Sequence, residues 1–182
     1  MPVAPEGGEY IVGAYLAVVE KCRIVVYNAR LPGGGQRGLH EIDVLGFNFN
    51  TSTVFVCEVT THLRGTLYGK GNADTIKRLD RKHQWAQQYA QSELTTFKDK
   101  RYQFWSPYVP VGILTDYLAS MAGLDTIIND EYGRRVQQLM ERASVMTEDT
   151  GNPAFRTMQI LQHLRESKNR RMRWHNITVK GE

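Results

Sequence analysis

The chain has 182 residues, 41% hydrophobic and 23% charged, which suits one globular domain with a helical extension. It contains no run of 18 apolar residues, so no membrane span is expected, and the opening MPVAPEGGEY lacks the basic-then-apolar order of a signal peptide. A net charge of +4 permits nucleic-acid binding without requiring it, and Cys22 and Cys57 lie in apolar runs, as expected of buried thiols in a reducing cytoplasm.

Residues 1–8 carry two prolines and two glycines and read as a loose leader. Glu9 to Lys21 reads as a helix, because Ile11, Tyr15, Val18 and Val19 approximate a helical stripe. Glu9 falls in its first turn, where a negative charge suits the helix dipole. Cys22 to Asn28 reads as a strand, and the glycine-rich Leu31 to Gly38 as a flexible connection. That stretch lacks the spacing and following helix of a phosphate-binding loop.

The stretch HEIDVLGFNFNTSTVFVCEVTTH, from His40 to His62, reads as a β-hairpin. A bend near Asn50-Thr51 puts Asp43 opposite Glu58 and Glu41 opposite Thr60. Side chains alternate along a strand, so the three acids then share one face. Like charges facing each other weaken a sheet, and these strands are otherwise apolar enough to be interior. Either a divalent cation compensates the acids, or that face is open to water.

Asp74, a candidate N-cap, opens a helix through Ser92, with Ile76, Leu79, His83, Ala86 and Ala90 as its buried stripe. Its Lys77, Arg78, Arg81 and Lys82 are either a solvated face or a phosphate-binding one. Lys98 to Arg101 reads as a charged turn and Val109 to Leu114 as the next strand, reached through a right-handed crossover. A short helix is predicted over Asp116–Asp125, a second over Glu131–Val145, and a third from Pro153 to Lys168 with a stripe of Met158, Leu161 and Leu164. The basic run from Arg165 to Arg173, followed by Trp174, suits either nucleic-acid contact or a solvated tail. Trp174 to Lys180 could add an edge strand. The order predicts an α/β fold, a mixed sheet flanked by helices. Residues 1–125 form the core and 126–182 a helical C-terminal extension packed on it.

Gly8-Glu9, the helix ending near Lys21, CRIVVYNAR, EIDVLGF and VFVCEVTTH together resemble the restriction-endonuclease-like, PD-(D/E)xK nuclease superfamily, nearest its Holliday-junction-resolvase-like branch. The likeness covers roughly residues 8 to 90. It implies a restriction-endonuclease-like sheet and metal-dependent hydrolysis of DNA phosphodiesters with Mg²⁺ or Mn²⁺. By the same resemblance, Glu9 is the helix glutamate, Asp43 and Glu58 are the metal carboxylates, the Val59 carbonyl is a further ligand, and Glu41 is a supporting acid. DNA is the implied partner, and junction-cutting relatives are typically dimers, so a homodimer is a further expectation.

The sequence departs from the pattern at Thr60, where the family places a lysine. Threonine cannot supply the positive charge that lysine gives to water and phosphate. Lys77 or Lys82, and less directly Lys70, could substitute from elsewhere. Otherwise the domain is a catalytically impaired module that binds DNA or a protein partner, or a structural partner in a larger complex.

Overall fold

The computed structural model describes residues 4–30, 41–63, 65 and 68–178, with side chains of the last helix described as far as Arg165. The Leu31–Gly38 connection therefore lies outside the described residues. The elements run α1 (Gly7–Val18), β1 (Ile24–Arg30), β2 (Glu41–Asn48), β3 (Thr53–Val59), α2 (Asn72–Glu93), β4 (Asp99–Ser106), α3 (Ile113–Ser120), β5 (Leu124–Ile128), α4 (Asn129–Val145) and α5 (Pro153–Thr178). One mixed sheet holds the strands in the order β1-β2-β3-β4-β5. The first three pair antiparallel, and β4 and β5 continue parallel to β3. The fold is α/β, as the element pattern predicts.

The strands bury both faces, giving three layers. On one side α1, α4 and α5 cover Val44, Phe55, Cys57, Trp105 and Ile127. On the other, α2 covers Leu45, Val54 and Val56, and α2 with α3 covers Phe104. Helix α1 lies close on the sheet because two glycines make room. A Cβ at Gly46 would stand 2.9 Å from Leu16 Cδ1 and 3.0 Å from Cys22 Sγ, and one at Gly13 would overlap the Tyr27 ring.

The hairpin register is the predicted one. Pairing runs from Asn48↔Thr53 to Val44↔Cys57, so the next step sets Asp43 against Glu58. The turn is closed by Asn48, whose Oδ1 accepts from Asn50 N (3.0 Å) and Thr51 N (3.2 Å), an Asx-type turn.

Several boundaries differ from the sequence-based expectation. The fourth strand is Asp99–Ser106, not Val109–Leu114. Its first half, DKRY, sits at the sheet's end and stays partly exposed, which gives it the composition of the charged turn expected over Lys98–Arg101. Gly112 takes φ 126 and Ile113 starts α3, so Val109–Leu114 is a loop and helix start. The helix expected over Asp116–Asp125 is Ile113–Ser120, and Leu124–Asp125 opens β5; a core boundary at 125 thus passes through that strand. Asp74 is not the N-cap. That position is Gly71, and Asp74 Oδ2 accepts from Lys70 N (2.8 Å) inside the first turn. On α5 the buried positions are Phe155 and Gln159, with Leu161 and Leu164 exposed, so the inward stripe is rotated from the predicted one. The helix runs to Thr178, which excludes an edge strand from Trp174 that far. Both cysteines are free and buried, and no described helix is long and apolar enough to cross a membrane.

Candidate active site

The site lies where the β2–β3 ladder gives out. Past Val44↔Cys57, the Val59 N–H donates to Asp43 Oδ2 (2.7 Å) instead of to a strand carbonyl. On the other side of β2 the register omits Asn28 and Asp43, and Asn28 takes φ 54. Ile42 packs on the α2 side and Val44 on the α1 side, so alternation breaks at Asp43. These departures free the Asp43 side chain to lie at the end of the sheet rather than flat on one face.

Glu58, from β3, meets the same point. Lys82 reaches in from α2, and its Nζ donates to Glu58 Oε1 and stands 4.0 Å from Asp43 Oδ1. The three side chains are 11% (Lys82), 13% (Asp43) and 17% (Glu58) exposed, so the cluster is largely desolvated. A cleft enclosing about 450 Å³ continues behind it, lined by Val56, Phe104, Leu79, Ala86 and Leu118. Burial pushes both acids up. For Asp43 the Lys82 charge and the Val59 N–H oppose that; for Glu58 the Asp43 charge adds to it and Lys82 opposes. Burial alone would lower Lys82, but the Glu58 and Asp43 charges outweigh it and hold the ammonium protonated.

Helix α1 delivers Glu9 to the same end of the sheet. A Cβ on Gly8 would overlap the Thr61 methyl and stand 3.5 Å from Val59 Cγ1, so the helix start abuts the end of β3. Glu9 does local work as well: its Oε2 accepts from Glu6 N (3.0 Å), capping the helix. Its carboxyl is raised to about 7, mainly by burial, with the charges of Asp43, Glu6 and Glu41 adding. Glu41 is tied to Arg30 across β1–β2 at 2.5 Å.

Of the two lysines singled out on α2, only Lys82 reaches the acids; Lys77 is exposed. Thr60 is buried, its N–H donating to Trp105 O (2.9 Å). Its hydroxyl sits beside that of Tyr68 but makes no hydrogen bond of good geometry. Tyr68 is a neighbour that strand and helix patterns do not flag. Burial raises its hydroxyl, the Glu58 charge adds to this, and the Arg78 guanidinium lies 4.5 Å from its ring centroid.

The donors suit a hard cation. Two carboxylates and a backbone carbonyl are oxygen ligands of the kind Mg²⁺ takes, with water completing its shell. Buried acid outnumbers buried base here, with Asp43, Glu58 and half-buried Glu9 around one ammonium. As the side chains stand, no group of three or more His, Cys, Asp or Glu is arranged around a common metal position among the described residues. The set is therefore a carboxylate pair with Glu9 behind it, not a closed cage. Comparison with protein-family models, curated proteins and solved structures finds no match.

Proposed function

We propose that the chain is a metal-dependent DNA endonuclease of the restriction-endonuclease-like kind that its sequence resembles. One observation carries this: Asp43 and Glu58, from the two strands of one hairpin, converge on a single buried ammonium from α2. The order helix, three antiparallel strands, helix, parallel strand supports it.

Asp43 and Glu58 would hold a Mg²⁺ or Mn²⁺ ion, with the Val59 carbonyl as a further oxygen ligand. Such an ion, when bound, polarises a phosphate and lowers the pKa of a coordinated water. Lys82 gives the site the positive charge that Thr60 cannot, so the motif lysine is replaced from α2. Val59 N–H fixes one oxygen of Asp43, and Arg30 holds Glu41 beside the site as a supporting acid. Exposed Lys77 and Arg81 on α2 offer charge to the DNA backbone.

Thr60, together with the engagement of Lys82 by Glu58, also favours a second reading, a module that binds DNA without cutting it. Incubating supercoiled plasmid with the protein in Mg²⁺ or Mn²⁺ separates the two. Nicking or linearisation by wild type and its loss in Asp43→Ala is the outcome expected of the enzyme. No cleavage by wild type, or equal cleavage by both, rejects it.

A further inference from the structure

Beside the acids, two loops leave the carboxyl ends of β3 and β4 and touch each other. A Cβ at Gly65 would stand 3.1 Å from Pro110 Cγ and 3.6 Å from Tyr108 Cε1. These loops carry Leu63, Tyr108, Val111 and Ile113, which are 79%, 47%, 91% and 65% exposed. Single exposed apolar residues are ordinary, but four on two touching loops form a patch of the kind that marks a binding surface.

The β4–α3 loop is also held in place. Asn129 clasps Val109 with both ends of its amide, Oδ1 accepting from Val109 N (2.8 Å) and Nδ2 donating to Val109 O (3.0 Å). Ser106 Oγ donates to Tyr108 O (3.2 Å), and Gly112 N donates to Thr115 Oγ1 (2.9 Å). Buried Val109 packs in one cluster with Tyr68 and Ile76, which couples the loop to the wall of the acid site. Val111 and Ile113 are thus presented outward by a fixed backbone, and such preorganisation lowers the entropy cost of contact.

We propose that Leu63, Tyr108, Val111 and Ile113 form a stacking edge for unpaired nucleobases, a reading that rests on the nuclease assignment and gives its substrate a non-duplex element. The surroundings select this occupant. Exposed Lys70, Lys77 and Arg81 lie on the segment and helix bordering the same site and suit phosphates, while the apolar edge offers phosphates nothing. Charge beside an apolar or aromatic platform is the pairing that single-stranded nucleic acid meets, and apolar wedges are what enter opened base steps.

The test uses the full chain in EDTA, so that binding is read without cleavage. Anisotropy is measured on an oligonucleotide of about 20 nucleotides carrying 2-aminopurine, as single strand and as blunt duplex. Wild type is expected to bind the single strand about tenfold more tightly than the duplex and to quench the 2-aminopurine. Val111→Ser/Ile113→Ser, at exposed positions, is expected to erase that preference while leaving duplex affinity within about twofold. Leu63→Ser, on the other loop, repeats the test independently, and unchanged circular dichroism shows that each variant folds. Equal affinity of wild type for both oligonucleotides overturns the proposal. So does equal weakening on both, or a change confined to sedimentation, which would make the edge a protein contact. Failure to cut plasmid in Mg²⁺ rejects the nuclease reading without altering the binding result.

Discussion

Replacing Lys82 with methionine removes the only positive charge seen in contact with Asp43 and Glu58 and keeps most of the side-chain volume. The consequence can be worked from the cluster itself. Breaking a buried ion pair by removing one partner costs about 3–5 kcal/mol, because the remaining charge stays desolvated. The acids can escape by taking up a proton. Neutralising a carboxyl with an ordinary value of 3.8, such as Asp43, costs about 1.4 kcal/mol for each pH unit above that value. The ceiling on the destabilisation is then about 4 kcal/mol at about pH 7 and about 2 kcal/mol at about pH 5. Urea unfolding of Lys82→Met against wild type, in metal-free buffer at both pH values, reads this directly. Lys77→Met is the control and should stay within about 0.5 kcal/mol at either pH, since that side chain is exposed. A destabilisation by Lys82→Met that is absent, or the same at both pH values, would refute the electrostatic account of the cluster.

Glu9 yields a second pH signature. Its folded carboxyl is raised from 4.5 to about 7, so the folded state holds the proton more tightly than the unfolded one. The associated stability is present below about 4.5 and lost as pH rises through about 7. In metal-free thermal melts, wild type should therefore lose stability relative to Glu9→Gln as pH climbs across that window; a flat or opposite difference would contradict it. Gly46→Ala should cost about 1–3 kcal/mol in urea unfolding, because a new Cβ meets Leu16 and Cys22 in a packed core. Asn129→Ala strips both bonds from the Val109 backbone and should cost about 1–3 kcal/mol, read by the same unfolding assay and by faster amide exchange at Val109.

Much of the site was legible where two patterns agreed. The hairpin register follows from alternating apolar residues and a turn rich in Asn and Thr, and it set Asp43 against Glu58. The break of alternation at Asp43 was not legible, because it depends on Asn28 at positive φ in the neighbouring strand. Lys82 could have been preferred to Lys77 by helix geometry. It follows buried Leu79 by three residues and precedes Ala86 by four, which places it on the inward face. Strand β4 was hidden because its first half is solvated at the sheet's end and its second half runs into a proline-containing loop. The apolar Val109–Leu114 stretch misled for a related reason. Only Val109 and Leu114 go inward, while Val111 and Ile113 face solvent. Tyr68 lies in a loop segment whose packing beside Thr60 comes from tertiary contacts alone.

The account depends on the Asp43–Glu58 pair acting as a cation site, and calorimetric titration with Mn²⁺ addresses that claim most directly. Wild type should bind the ion, Asp43→Asn and Glu58→Gln should each abolish the heat, and Lys82→Met should bind at least as tightly as wild type, since its ammonium no longer competes for Glu58. No heat from wild type, or undiminished binding by Asp43→Asn, would contradict it.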